Sequence, residues 1–118
     1  MAAEQLGLGL SVVIDACNAH DDARAMWADM AARFGARLAV IECACADEAV
    51  HKARVAARVR AIAHFPEVTW DEVEAARARY RPWPGPRLRL DTSAEAPEKL
   101  VAQALRFVRG AIGDAPSP

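Results

Sequence analysis

"SVVIDACN", Ser11–Asn18, decides how the rest of the chain is read. A run of β-branched residues ends abruptly in the carboxylate of Asp15 and passes into a small turn. A run without polar alternation suits a strand covered on both faces, as in a parallel sheet. An unpartnered carboxylate is costly in such an interior, so Asp15 is expected just beyond the strand's C-terminal edge. In open α/β sheets that edge is where ligands bind.

Working outward, Ala23, Met26, Trp27, Met30, Ala31 and Phe34 recur at spacings of three and four. They predict an amphipathic helix over about Asp21–Phe34, ended by Gly35. "ARLAVIECA" supplies a second apolar strand, Leu38–Cys43, and Asp47 or its neighbour opens a helix running to Ile62. Pro66 breaks the chain. Thr69 and Glu72 form a capping-box pair that starts the next helix. "RPWPGP" stops that helix, and "RLRLDTS" alternates Leu88 and Leu90 with arginines as a third strand nearer a sheet edge. A last helix covers about Ala94–Ile112, with Pro97 tolerated in its first turn. The reading is one α/β domain over residues 1–112 followed by a disordered tail, 113–118. Its strand–helix order predicts a three-layer sandwich with parallel strands.

Composition narrows the function classes. The 118 residues are 53% hydrophobic and 26% charged, which is globular, and a net charge of −1 gives no drive towards nucleic acid or anionic lipid. No stretch reads as a signal peptide or a membrane span. Cys17, Cys43 and Cys45 cannot form a fully paired set, which suits a reducing cytoplasm.

Two constellations carry chemistry. Asp15 with Asn18 has two readings: a carboxylate that holds magnesium through water or orients a nearby hydroxyl beside bound phosphates, or an Asp that caps or brackets the turn leading into the next helix. Arg54 and Arg58, with Arg60 close behind, sit four apart on the expected helix. They either close on a phosphoryl group or form a solvated basic face. Cys43-x-Cys45 with His51 lacks the second ligand pair of a zinc site and reads as buried small hydrophobes. Trp70 and Trp83 read as packing residues.

"LGLSVVIDACNAHDDARAMW", "RLAVIECACADEAVHKARVAAR", "EVTWDEV" and "PGPRLRLDTS" together resemble the C-terminal portion of P-loop kinases. The likeness is to small ATP-binding proteins labelled AAA-family ATPases, related to polynucleotide-kinase-like phosphotransferases, and it spans about Gly7–Val108. It implies ATP and magnesium as cofactors. Asp15 would then close a Walker-B-like strand as the catalytic carboxylate, and Asn18 would be the turn asparagine that helps bind nucleotide or phosphate. Arg54 and Arg58 would be lid positions near the phosphates, and the loop after "RLRLDT" would lie near the adenine.

The departure from that family is the phosphate cradle. A Gly-x-x-x-x-Gly-Lys-Ser/Thr loop is absent from these residues, and neither Lys52 nor Lys99 follows a glycine. Related kinases place the strand before that loop between the counterparts of "SVVIDA" and "RLAVIE". The expectation is therefore a truncated P-loop kinase-like fold, inactive in phosphotransfer without a missing N-terminal Walker A half. Its unpaired strands would close up, accept another chain, or form a homo-oligomer. The alternative function is a non-catalytic interaction module that oligomerises or binds a partner through those edges.

Overall fold

A computed structural model of the chain describes residues 1–59 and 61–112. Arg60 and the tail 113–118 lie outside the described residues. The elements are α1 (Ala2–Gly7), α2 (Asp21–Arg33), β1 (Ile41–Ala44), α3 (Glu48–Ala57), α4 (Trp70–Arg79), β2 (Leu88–Asp91) and α5 (Pro97–Ile112). They fall into two compact units: residues 1–39 with 108–112, and residues 40–107.

In the second unit β1 and β2 pair in parallel, Ile41 opposite Leu88 and Ala44 opposite Asp91, in a mixed α/β arrangement. Parallel neighbours need a crossover, and α3 and α4 lie within it. Helix α3 starts where Asp47 accepts a hydrogen bond from the Val50 N–H, and α4 starts at a full capping box between Thr69 and Glu72. The two helices meet edge-to-face through His51 and Trp70, with ring centroids 5.2 Å apart. Leu90 is the buried apolar residue of this unit, 5% exposed.

In the first unit α2 follows the expected span and buries Ala31 and Arg24. Gly35, at φ 62°, supplies the left-handed residue that ends it. Helix α1, unforeseen from the sequence, brings Gly7 against the Phe34 ring. Arg37 donates to the Ala111 carbonyl at 3.0 Å.

Four expectations are corrected. Among the described residues the sheet has two strands, not three, because Gly9–Asp15 forms no ladder. A strand gains its stability from pairing, and no backbone group from Ser11 to Asp15 finds a main-chain partner among the described residues. Strand β1 begins at Ile41 rather than Leu38, because its register is set by the four residues of β2. Helix α3 closes at Ala57, with Arg58 already extended, rather than running to Ile62. Continuing it would stack Arg54 on Arg58, a like-charge pair at i,i+4, while Val59 and Ile62 are 80% and 59% exposed and bury little. Cys43 is exposed, not buried, because it sits on the face of β1 opposite Glu42.

Candidate functional site

The expected site residues are divided between the units. Asp15 and Asn18 belong to the first, Arg54 and Arg58 to the second.

Asp15 ends a stretch that lies outside any helix or strand, is exposed, and makes no hydrogen bond or ion pair among the described residues. Three residues on, Asn18 takes the left-handed conformation at φ 46° that asparagine tolerates. Its side-chain oxygen accepts from the Trp27 indole N–H at 2.9 Å, and its carbonyl accepts from Arg24 Nε at 2.7 Å. Asn18 is thus the turn that fastens Asp15's segment to α2.

Arg54 lies in the last turn of α3, where a cation suits the helix dipole. Its guanidinium donates to the Thr92 hydroxyl at 3.0 Å and the Thr92 carbonyl at 2.9 Å, and it touches Cys45 Sγ at 3.7 Å. These partners cluster at the C-terminal ends of β1 and β2. There Asp91 accepts from the Ala46 N–H at 3.1 Å and from Ser93, while Ser93 Oγ accepts from the Asp47 N–H at 3.1 Å. The Ser93 hydroxyl, with the Ser93 and Ala46 amides, holds the Asp91 carboxyl below its ordinary value. Arg58 is exposed past the helix end, so the helical i,i+4 relation to Arg54 does not form.

A second cluster escaped the sequence reading. The Glu42 side chain is 8% exposed and accepts from Tyr80 Oη at 2.8 Å, the Trp83 N–H at 3.2 Å and Arg87 Nε at 3.3 Å. Arg89, opposite it in the register, approaches to 3.5 Å. Burial pushes the Glu42 carboxyl up, but Tyr80, Trp83 and Arg87 together hold it below its usual value. The cluster straps the proline-rich segment after α4 onto β1. A lone glutamate in an apolar strand, facing two arginines spaced two apart on another, was the available signal.

The AAA domain family model matches residues 1–83. The chain belongs to the AAA domain family. Membership of the AAA domain family points to P-loop kinase-like ATP binding. The AAA domain match takes in Asp15, Asn18, Arg54, Arg58 and Glu42, and stops short of β2 and α5. Comparison with curated proteins and with solved structures finds no match. Among the described residues of this AAA domain, no helix is long and apolar enough to cross a membrane.

Proposed function

We propose that this chain carries part of a P-loop kinase-like ATP site within a three-layer α/β sandwich. By the family resemblance Asp15 is the carboxylate that meets magnesium, and Arg54 and Arg58, which belong to the other unit, are phosphate-facing positions, each role being proposed for its residue alone. The family match over residues 1–83, which covers all of them, carries the reading. An exposed carboxylate with no protein partner among the described residues is a fit ligand for magnesium, which binds through one or two carboxylates plus phosphates and water. Magnesium held there would neutralise phosphate charge; Asp15 would orient it, and Asn18 would keep the Asp15 segment in place. Arg58 is exposed, whereas Arg54 must release Thr92 to reach a phosphate. Within these 118 residues no Gly-x-x-x-x-Gly-Lys-Ser/Thr loop cradles the phosphates, and on this reading these residues by themselves bind nucleotide weakly and do not transfer phosphate.

The test is anisotropy of a fluorescent ATP analogue with and without magnesium, beside a phosphate-release assay. Weak, magnesium-dependent binding is expected, falling about tenfold in Arg58→Ala, the loss of one charge-assisted contact. Arg77→Ala with Arg79→Ala is expected to leave it unchanged. Equal losses from both sets would reduce the reading to diffuse charge attraction. Turnover that Asp15→Ala abolishes would overturn the claim of inactivity.

A further inference from the structure

We propose that two copies of this chain exchange strands, the Ser11–Asp15 stretch of each pairing with the free edge of β1 in the other. The proposal does not depend on nucleotide binding.

The edge is defined by the ladder itself. Val40 O accepts from the Leu88 N–H at 3.0 Å and Ala44 O from the Thr92 N–H at 2.8 Å, so alternate residues of β1 face β2. Ile41 and Cys43 therefore turn their N–H and C=O groups the other way, where no strand lies among the described residues. Exposed edges are ordinarily blunted by charge, proline or a bulge. The outer edge of β2 is blunted in that way, since Arg89 and Asp91 present it and Pro86 precedes it. The β1 edge has no such guard: its residues are an isoleucine and an exposed cysteine.

The occupant is on the same chain. Ser11–Asp15 holds Val12, Val13 and Ile14, strong strand formers, in a run outside any helix or strand whose backbone makes no main-chain hydrogen bond among the described residues. Val13 is 92% exposed and Leu10 52%, more apolar surface than an isolated stretch should show to water. Each copy thus has one strand to give and one edge to receive it. Reciprocal exchange between two copies satisfies both at once and closes on itself, as an isologous dimer does. A one-way chain of donations would leave a free strand and a free edge at its ends.

Sedimentation velocity of the full chain across a wide micromolar range tests this, with Val13→Pro and Ile14→Pro measured singly. Neighbouring residues aim their N–H groups to opposite sides, so one of the two prolines must delete a ladder bond. Expected is a monomer–dimer equilibrium that one proline variant weakens about tenfold or more, while its melting at high dilution matches the parent. A synthetic peptide of residues 9–17 should dissociate the parent dimer. A monomer at every concentration, a dimer that both prolines leave intact, or assemblies growing beyond two chains would each overturn the proposal. So would protection of the residue 11–15 amides from hydrogen exchange in the dilute monomer, which would mean that the strand pairs within its own chain.

Discussion

Arg54 holds Thr92 by two hydrogen bonds, to the hydroxyl at 3.0 Å and to the carbonyl at 2.9 Å, tying the last turn of α3 to the loop after β2. The pair is exposed, so its worth is modest. Arg54→Ala is expected to lower stability by about 1 kcal/mol, and Arg54→Lys to recover less than half, because an ammonium cannot reproduce the planar fork. Urea denaturation reads both; a lysine variant as stable as the parent would show that only the charge matters. Thr92→Val leaves the carbonyl contact and removes the hydroxyl, so its loss should be smaller than that of Arg54→Ala.

Glu42 sets the acid limb of the stability profile. Its folded carboxyl titrates below the ordinary glutamate value, so its contribution is fully present above the unfolded pKa of about 4.3. That contribution is lost as pH falls from there through the lowered folded value. Glu42→Gln should flatten this part of a melting-temperature profile while changing little of its shape near neutrality. Glu42→Ala also removes the carboxylate that accepts from the Tyr80 hydroxyl and from Arg87 Nε, costing about 2 kcal/mol at pH 7 with both arginines partly in water. An unchanged acid limb in the glutamine variant would assign the titration elsewhere.

Asn18 makes two separable contributions. Asn18→Gly keeps the left-handed turn but abandons the Trp27 indole, a loss of about 1 kcal/mol. Asn18→Val forfeits the bond and forces a β-branched residue to positive φ, so about 2–3 kcal/mol is expected. Denaturation midpoints should therefore fall in the order parent, glycine, valine. Equal midpoints for the two variants would mean that the turn carries no strain.

Leu90, 5% exposed in β2, has few apolar companions at comparable depth. Truncation to alanine is expected to remove about 2–4 kcal/mol, a large share of the stability of a small domain. Loss of the cooperative urea transition in Leu90→Ala would fit; a shift under 1 kcal/mol would show the site collapsing around the smaller side chain.

Local signals were legible and long-range ones were not. Thr69 with Glu72, Asp47, Gly35 and Pro97 each act through neighbours within one turn, and each stands where the sequence placed it. The strand at Ser11–Asp15 was legible as a propensity, but propensity becomes structure only when a second strand supplies the bonds. The helix past Ala57 failed for the same kind of reason, since no packing surface rewards Val59 or Ile62. Of the candidate site, the turn role of Asn18 was within reach, because it depends on local geometry. The partners of Arg54 and Glu42 lie about forty positions away, at separations of 38 for Thr92 and Tyr80, and no periodicity encodes them.

The bare Ser11–Asp15 stretch also bears on how long the molecule survives. Proteases grip their substrates as extended chains, through the same main-chain bonds that a neighbouring strand would make. Most folded segments must first open locally to be gripped, but this one lies outside any helix or strand, has no main-chain bonds to break among the described residues, and leaves Val13 in water. Limited digestion with elastase should therefore cut first between Leu10 and Ala16, before either unit melts. Occupancy of that stretch, whether by a second copy or by any other strand, then acts as a shield, and degradation follows the concentration of bare chains.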